Sequence, residues 1–273
     1  MMTHTDRPAI RLIATDLDGT FFGDSGQPTP QNCAAVLRAA ELGVPTIFAT
    51  GRPSRWLDAL DPVRSAQPMA ITSNGALAVD LVTDKVIRTF PLDIPATAAV
   101  IADVLDTIPN ACFAVEYVEG WGKDDRYPPA DIGAEADIIR HDPVDLLDQG
   151  TPIKLLIRNR QHTLKLLDQV APIVGRRLNL TFSVLSEMGF LELSRPGVSK
   201  ATTLASLLAD RGIAPADVAA FGDMPNDIEM LDLVGHPFAM DNAHESLKTR
   251  GYSVCGHHAD SAFATTVAGL LGF

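Results

Sequence analysis

The stretch Ile10–Thr20, IRLIATDLDGT, decides how the rest of the chain is interpreted. It begins as an apolar run that is short enough for a buried parallel strand, and it ends in two acids, a glycine and a threonine. Carboxylates at the carboxyl end of a parallel strand point into the crevice where open α/β sheets bind ligands, and Gly19 allows a sharp turn there. Asp16 and Asp18 are therefore candidates for chemistry, although an isolated acid and glycine can also simply end a strand.

The composition limits the class of protein. The 273 residues are 46% hydrophobic and 21% charged, which is typical of a globular chain with one large or two moderate domains. The formal charge of −12 opposes non-specific binding to nucleic acid or to anionic lipid, since both rely on Lys and Arg to neutralise phosphates. We therefore expect neither nucleic acid nor a membrane as a partner. Local positive charge must hold any anionic substrate.

The cysteines and the apolar runs indicate the cellular compartment. The 3 cysteines are odd in number and form no C-x-x-C pair, which favours a reduced, cytoplasmic setting. No basic segment followed by a long apolar one occurs near the N-terminus, and no run is long enough to cross a bilayer. The sequence predicts a cytoplasmic protein without a membrane span, as a monomer or a weak homodimer.

Strand and helix patterns alternate after the acidic turn. A helix is predicted from Pro30 to Gly43, a second buried strand over Val44–Thr50, another helix from Pro53, and a third strand over Met69–Thr72. This alternation predicts a parallel sheet. Small polar residues follow each of the three strands, so the same edge of the sheet gathers them.

The middle of the chain has a different pattern. Short β-rich runs and two helical patterns predict an inserted α+β domain over residues 84–187, with residues 1–83 and 188–273 forming one α/β core. Within the insert, Gly120–Glu135 is predicted to be an irregular loop. The other predicted elements of the insert are the strands Cys112–Val118, Ile153–Arg158 and Leu180–Leu185 and the helices Pro95–Leu105 and His162–Val174.

The α/β pattern returns at a helix capped by Ser199 and ended by Gly212. Lys200 lies in the first turn of this helix, where a cation opposes the helix dipole by a few tenths of a kcal/mol, up to about 1 kcal/mol. An anion bound between the helix and the lysine would explain that choice. The next strand, Val218–Asp223, is a second strand that ends in an acid, and a helix follows Asp227.

Four motifs thus occur in order at successive element junctions: Asp16–Thr20, Thr50–Arg52, Lys200 and Gly222–Asp227. With them, the chain resembles a haloacid dehalogenase superfamily phosphatase of the Cof type, type IIB with a C2 cap, over nearly its whole length. The resemblance implies a Rossmann-like parallel-sheet core with an inserted α+β cap domain. Ala201, where the family often has glycine, and Pro225 are small departures that concern loop geometry. The matching stretches are Asp16–Thr20, Thr50–Arg52, Ser73–Ala76, Pro196–Lys200, Gly222–Asp227 and Ala239–Ala243.

The resemblance implies a role for each motif. Asp16 would attack phosphorus to form an aspartyl phosphate, and Asp18 would act first as acid and then as base. Thr50 and Lys200 would hold phosphoryl oxygens. The implied substrate-binding residues are Gly19, Thr50, Gly51, Arg52, Asn74, Lys200 and Asn226.

A metal is implied as well. Two like charges about 4 Å apart repel by roughly 4 kcal/mol at an effective dielectric constant near 20, and this site would gather a phosphate dianion and several carboxylates. Mg²⁺ suits an all-oxygen ligand set. The resemblance implies Asp16, the carbonyl of Asp18 and Asp223 as its ligands, with Asp227 either as a ligand or as a support behind one.

Three functions are consistent with these motifs. The leading hypothesis is a Mg²⁺-dependent phosphatase that hydrolyses small phosphate monoesters, sugar phosphates or related metabolites. A phosphosugar mutase of the same superfamily shares the nucleophile motif. A non-catalytic regulator that binds sugar phosphates would be expected to have lost one of four residues, and this chain retains all of them: Asp16, Asp18, Lys200 and Asp223. Each motif alone can also be explained as an ordinary strand or helix end, whereas all of them together favour catalysis.

Overall fold

The computed structural model describes residues 10–129 and 136–273. They form two compact units, a core unit made of the chain up to Ile87 together with Ser199–Phe273, and a cap unit, Arg88–Val198. No helix in these ranges is long and apolar enough to span a membrane. The strands are β1 Leu12–Thr15, β2 Thr46–Ala49, β3 Met69–Thr72, β4 Leu77–Asp80, β5 Lys85–Thr89, β6 Cys112–Tyr117, β7 Trp121–Asp124, β8 Ile138–Arg140, β9 Pro152–Arg158, β10 Asn179–Thr181, β11 Phe190–Ser194, β12 Val218–Gly222, β13 His236–Ala239 and β14 Ser253–Val254. The α-helices are α1 Pro30–Glu41, α2 Ile94–Thr107, α3 Thr163–Val174, α4 Lys200–Arg211, α5 Ile228–Leu233, α6 Glu245–Lys248 and α7 Ala262–Leu271.

The core unit is built on one sheet in the order β14-β13-β12-β1-β2-β3-β4-β5. All neighbouring pairs from β14 to β3 are parallel, and β4 pairs antiparallel with β3. β1 lies in the middle of the sheet, and each of its four residues is buried. Polar residues that follow β1, β2, β3 and β12 therefore come together at one edge. The predicted α/β fold with a parallel sheet is confirmed, and the antiparallel β4 was not predicted.

Local signals in the sequence fix the starts of α1 and α4. The N-cap hydroxyl of Thr29 accepts from the Asn32 N–H at 3.2 Å, and Pro30 occupies the first turn of α1. At α4 the Ser199 side chain accepts from the Thr202 N–H at 3.3 Å, and the Thr202 hydroxyl accepts from the Ser199 N–H at 2.9 Å. This reciprocal capping holds the start of α4, and hence Lys200, in place.

The segment that follows Pro53 differs from the prediction of an α-helix. It forms two short 3₁₀ helices, Ser54–Trp56 and Asp58–Ala66. Pro62 lies inside the second one and has no N–H to continue an α-helical ladder. Leu60 and Val63 are buried, so the segment is helical as predicted, but it is of the 3₁₀ type.

Buried aromatic rings hold the segment after the first motif. Phe21 directly follows the acidic turn and is fully buried. Its ring lies 4.9 Å from that of Phe48 in β2 and 5.2 Å from that of Phe263 in α7, centroid to centroid. Phe263 also contacts Phe221 in β12 at 5.0 Å. This cluster joins the two acidic strand ends through the core beneath them, because Phe21 and Phe221 each lie within two to five residues of a motif acid.

The cap unit has a sheet in the order β10-β11-β9-β6-β7-β8. Its pairs are antiparallel except for β7 with β8. Side chains from α2 and α3 cover one face of this sheet, where Phe113, Leu155 and Leu191 contribute to a buried apolar cluster. A sheet covered by helices on one face matches the predicted α+β class.

Three details of the cap unit differ from the sequence predictions. β11 pairs with β9 over Phe190–Leu193 and so lies in the cap unit, whereas the predicted boundary at residue 188 placed it in the core. Trp121–Asp124 is strand β7 rather than loop, and residues 130–135 of that predicted loop lie outside the described residues. The predicted strand over Leu180–Leu185 is only Asn179–Thr181.

A buried charge cluster lies on the face of the cap sheet opposite the helices. Lys154 is 2% exposed, and its Nζ lies 2.8 Å from Glu192 Oε1 and 3.4 Å from Glu116 Oε2. Burial alone would lower the pKa of Lys154, but the two carboxylates raise it above its ordinary value. The three side chains link the central strands β6, β9 and β11, so we expect the cap unit to depend on the lysine for stability.

Replacing this lysine tests its contribution. In Lys154→Ala two buried carboxylates lose their cation, which should lower the free energy of unfolding of the cap unit by about 3–5 kcal/mol. Urea titration of a Trp56→Phe background follows this unit, because Trp121 then remains as the single tryptophan. The control Lys165→Ala changes an exposed lysine on α3 and should stay within about 0.5 kcal/mol. A loss below about 1 kcal/mol for Lys154→Ala would show that the cluster is not structural.

Candidate active site

The first motif places Asp16 directly after β1. Its N–H donates to the Phe221 carbonyl at 3.0 Å, which ties it to the neighbouring strand β12. Its side chain is buried, and Oδ1 lies 2.6 Å from the Nζ of Lys200. Three residues later the chain turns through Gly19, whose φ is +74°. This left-handed conformation suits glycine and turns the chain back towards the second acidic strand end.

The second acidic strand end lies against that turn. Asp223 follows β12, is buried, and its Oδ1 accepts from the Thr20 hydroxyl at 3.0 Å. A Cβ on Gly19 would lie 2.3 Å from Asp223 Oδ2, so only glycine permits this approach. The Asn242 side-chain amide donates to the Gly19 carbonyl at 2.8 Å and holds the turn from the other side.

Asp227 supports both the second motif and the lysine. It is completely buried, and its Oδ2 accepts from the N–H groups of Asp223 and Met224 at 3.1 and 3.0 Å. Its Oδ1 accepts from Lys200 Nζ at 2.7 Å. Both carboxylate oxygens therefore already have partners within the protein.

Lys200 is the one cation among these buried groups. It is 1% exposed and contacts Asp16 and Asp227 together. Burial alone would lower the pKa of Lys200, but the two carboxylates raise it above its ordinary value, so the side chain is an ammonium. These carboxylates explain how a lysine is tolerated in the first turn of α4, which is an unfavourable position for a cation.

The carboxylates outnumber the cation. One oxygen from each of Asp16, Asp223 and Asp227 lies within 4.8 Å of the others. Burial raises the pKa of Asp16 well above its usual value; Lys200 opposes this, and the other two carboxylates add to it. Burial, followed by Asp227, raises the pKa of Asp223 to about 7. Three acids against one lysine leave excess negative charge, which a bound divalent cation would neutralise.

A second group of polar residues follows β2 and β3. Thr50 is buried, its N–H donates to the Ile71 carbonyl at 2.8 Å, and its hydroxyl accepts from the Arg52 N–H at 3.0 Å. Asn74 has a positive φ of +56°, and its N–H donates to the Thr50 carbonyl at 3.0 Å. The turns after the two strands are thus hydrogen-bonded to each other.

Asn226 connects this group to the second motif. Its Nδ2 donates to Asn74 Oδ1 at 3.0 Å. Its own Oδ1 is buried and accepts no hydrogen bond from the parts of the chain that the structure describes. An unpaired buried acceptor is unusual, and at this position it offers a contact for a ligand.

Asp18 lies apart from the buried carboxylates. Its side chain is 54% exposed and accepts two hydrogen bonds from Arg52, Nε to Oδ2 at 2.7 Å and Nη2 to Oδ1 at 2.5 Å. The guanidinium also lies 4.8 Å above the ring of Phe22. This two-pronged pair fixes the orientation of both side chains. The sequence indicated both residues but not that they pair with each other.

The structure brings the predicted residues to one edge of the core sheet and adds two that were not assigned roles. Thr20 holds Asp223, and Asn242 holds the turn at Gly19. Both stand inside the motifs quoted from the sequence, D-x-D-G-T and Ala239–Ala243, so the motif boundaries contained the signal. Their partners are more than 200 positions away, which sequence spacing cannot show.

Fold and site together define an α/β protein with a carboxylate-rich site at the carboxyl end of a parallel sheet. Residues 13–267 match the model of the haloacid dehalogenase-like hydrolases. The chain is 31% identical over 265 residues to the HMP-PP phosphatase of Serratia proteamaculans (strain 568), with 93% of each chain covered. It is 30% identical over 261 residues to the HMP-PP phosphatase of Cronobacter sakazakii (strain ATCC BAA-894), again with 93% of each covered.

The fold has a solved counterpart. The structure of a phosphatase of the haloalkanoate superfamily from Bacteroides thetaiotaomicron matches with a TM-score of 0.84 at 20% identity, over 99% of this chain and 98% of that chain. The chain belongs to the haloacid dehalogenase-like hydrolase family. The predicted family, a phosphatase of the Cof type, and the prediction of an enzyme are thereby confirmed.

The importance of the close backbone contact between Gly75 and Ser199, next to Lys200, can be tested by comparing two glycine substitutions. Gly75 has a φ of +107°, and a Cβ there would lie 2.3 Å from the Ser199 carbonyl oxygen. Gly43 has a φ of +80°, and a Cβ there would meet nothing within 4 Å. Gly43→Ala should cost about 1–2 kcal/mol for its backbone conformation alone. Gly75→Ala should cost about 1–3 kcal/mol more, because Ser199 and the start of α4 must move.

The measurement is urea unfolding followed by Trp56 emission in a Trp121→Phe background, combined with hydrolysis of an aryl phosphate. Gly75→Ala should also reduce turnover, since Lys200 adjoins the displaced Ser199, whereas Gly43→Ala should leave turnover unchanged. Equal destabilisation by the two variants would show that the contact at Gly75 does not position α4.

Proposed function

We propose that the protein is a Mg²⁺-dependent phosphatase that hydrolyses small phosphate monoesters through an aspartyl phosphate on Asp16. The observation that carries this proposal is the arrangement around Asp16, which lies at the end of the central strand β1 and contacts the Lys200 ammonium at 2.6 Å. The substrate class is a phosphorylated metabolite. HMP-PP, which appears in the names of the relatives, and a panel of sugar phosphates are the first compounds to assay for phosphate release.

Asp16 is suited to nucleophilic attack. Lys200 holds its Oδ1, and no residue in the ranges 10–129 and 136–273 donates a hydrogen bond to its Oδ2. In the first step a carboxylate oxygen of Asp16 bonds to phosphorus while the bond to the leaving oxygen breaks. In the second step water attacks phosphorus and the bond to Asp16 breaks, which restores the carboxylate.

Asp18 is the candidate for moving protons in both steps. As an acid it protonates the leaving alkoxide, and as a base it then takes a proton from the attacking water. Both of its carboxylate oxygens accept hydrogen bonds from Arg52, so either role requires this pair to separate. The substrate phosphate is a second anion for the guanidinium. We propose that Arg52 turns to the bound phosphate and thereby releases Asp18 to accept a proton.

Thr50 and Lys200 would hold the phosphoryl oxygens. The Thr50 hydroxyl accepts from the Arg52 N–H, so its own hydrogen remains available to a phosphate oxygen. Lys200 supplies fixed positive charge without needing to reorganise, because two carboxylates already hold it. Asn74, Asn226, Gly19 and Gly51 stay predicted substrate contacts.

The residues fit a magnesium ion. Three buried carboxylates with one lysine leave excess negative charge, and every donor is an oxygen, which is the ligand set that Mg²⁺ prefers. We propose Asp16, the Asp18 carbonyl and Asp223 as ligands. Asp227 acts behind them, since its two oxygens already bind Lys200 and the backbone of the second motif. When bound, the ion would neutralise and orient the phosphoryl group.

The metal requirement gives one prediction. Excess chelator should abolish hydrolysis, Mg²⁺ should restore it, and Ca²⁺ should inhibit it because its larger and looser coordination misaligns the nucleophile. Independently of activity, Mg²⁺ should raise the midpoint of thermal unfolding of the chelator-treated protein, and Asp223→Asn should remove that rise. Full activity in excess chelator, or an undiminished rise in Asp223→Asn, would contradict the proposed ligands.

A second prediction separates the two acids of the first motif. Asp16→Asn should remove turnover of every ester, because no covalent step can begin. Asp18→Asn should slow hydrolysis of an alkyl phosphate by roughly 10²- to 10⁴-fold, since that leaving group needs a proton. On p-nitrophenyl phosphate the first step should survive and the second should stall.

With the aryl ester, Asp18→Asn should release a burst of about one nitrophenolate per active site, followed by slow turnover, and phosphate should remain on Asp16. Rapid-quench sampling detects the burst, and intact-mass measurement detects the retained phosphate. If the losses are equal on the two esters and no burst occurs, Asp18 is not the acid and base. A parallel assay with a bisphosphorylated sugar should yield phosphate rather than a rearranged ester, which distinguishes hydrolysis from the mutase reaction.

A further inference from the structure

The cap unit contains a pocket of its own. Its volume is about 330 Å³, at the lower end of the range of about 300–1,000 Å³ for small-molecule sites. The polar part of its lining includes Asn110, Cys112, Arg126, Asn159 and Arg160. We call it the cap pocket. Every residue placed above in the candidate active site belongs to the core unit instead.

The cap pocket lies at one end of the cap sheet. Cys112 begins β6 and Asn159 directly follows β9. The chain enters and leaves the cap unit at the other end of the same sheet. The Leu92 N–H donates to the carbonyl of Pro152, the first residue of β9, and β11 ends at Ser194, four residues before the unit ends. The pocket is therefore at the end of the cap sheet remote from both chain crossings.

The charge of the cap pocket is positive. Arg160 is exposed and forms no ion pair with any residue that the structure describes. Arg126 lies 3.5 Å from Asp124 Oδ2, but that buried carboxylate also accepts backbone N–H groups from Phe113 at 2.6 Å and Tyr127 at 2.9 Å. The lining thus carries two guanidinium groups, and the one carboxylate that contacts either of them already accepts backbone N–H groups. This local excess is opposite to the −12 of the whole chain.

Cys112 does not cancel this positive charge. Burial raises the pKa of its thiol to about 11, although Arg126, Arg158 and Arg160 act in the opposite direction. The thiol is therefore neutral at physiological pH and leaves the guanidinium charges uncompensated.

A buried amide in the lining has an unmade hydrogen bond. Asn159 is 2% exposed, and its Nδ2 donates to Asn110 Oδ1 at 2.9 Å. Its Oδ1 is buried and has no partner among the described residues. Exchanging the nitrogen and oxygen of both amides keeps their mutual bond and leaves an unpaired N–H instead. In either assignment one polar atom of a buried side chain in this lining is left for a ligand, since such atoms are otherwise nearly always paired.

We propose that the cap pocket is a second ligand site, which binds a small organic anion. The carboxylate or phosphate of that molecule lies between Arg126 and Arg160, and a second polar group on it bonds to the Asn159 amide. Pro128 and Met188 contact its carbon skeleton. This site stands whether or not the core unit is a phosphatase.

Thermal unfolding of the full chain with defined probes tests the site. Glycolate carries a carboxylate and a hydroxyl, and hydroxymethylphosphonate carries a phosphonate and a hydroxyl. Acetate is the control that lacks the hydroxyl, and sodium chloride keeps the ionic strength equal in all samples. Each hydroxylated probe that binds should raise the unfolding midpoint more than acetate does. Comparison of the two probes shows whether a carboxylate or a phosphate-like group is preferred.

Variants assign the effect to the cap pocket. Arg160→Gln should weaken the better probe by about fivefold to tenfold in calorimetric titration, since one charged donor is lost at a partly exposed site. Arg176→Gln removes an exposed arginine of the same unit outside the pocket and should leave affinity unchanged. If neither probe binds the wild-type protein, or if Arg160→Gln and Arg176→Gln behave alike, the proposal is wrong.

Cysteine modification locates the bound probe. Cys112 in the pocket and Cys255 in the core unit are each 7% exposed, and burial raises the pKa of both thiols to about 11. The bound probe should slow alkylation of Cys112 by iodoacetamide, should not slow that of Cys255, and should lose this effect in Arg160→Gln. An unaltered rate at Cys112 with saturating probe would place the anion elsewhere and overturn the assignment.

Discussion

The buried ammonium of Lys200 is the contact on which the core site depends. It joins Asp16, at the end of the central strand, to Asp227, in the motif after β12, at 2.6 and 2.7 Å. These two acids lie more than 200 positions apart, so one side chain from the start of α4 fixes both strand ends. Removing the cation would leave two buried carboxylates without their partner, and desolvating an unpaired charge costs several kcal/mol. The position of the Asp16 carboxylate is therefore set by the first turn of a helix.

Glycines allow the motifs to approach closely enough for that contact. At Gly19 a side chain would collide with Asp223 Oδ2, at Gly75 with the Ser199 carbonyl, and at Gly222 with the Asp227 Cβ at 2.5 Å. Gly19 and Gly75 each bring one motif against another, and Gly222 lets the second acidic motif fold back on itself. The contact made by Lys200 and the glycines are thus both required. The carboxylates can come together only where no Cβ lies between the approaching segments.

The sequence was informative wherever a local signal was sufficient. The apolar run before Asp16, the cap at Ser199 and the acid after β12 predicted strand ends and a helix start that the structure reproduces. Contacts between distant residues were not predictable in this way. The pair between Asp18 and Arg52 depends on side-chain geometry, and the assignment of β11 to the cap unit depends on its pairing with β9. A strand carries no sequence mark of which partner it will choose.

The two units share one charge pattern and differ in a single group. Lys200 lies between Asp16 and Asp227, and Lys154 lies between Glu192 and Glu116, each lysine almost fully buried. Burial of a lysine with two acids therefore does not by itself mark an active site, because in the cap it links three strands. The core arrangement has a further carboxylate within reach, Asp223, and among the described residues only these three acids form a group of three or more possible metal ligands. This third carboxylate is the difference between the core cluster and the cap cluster, and it is the basis of our proposal that a cation and a phosphate bind in the core.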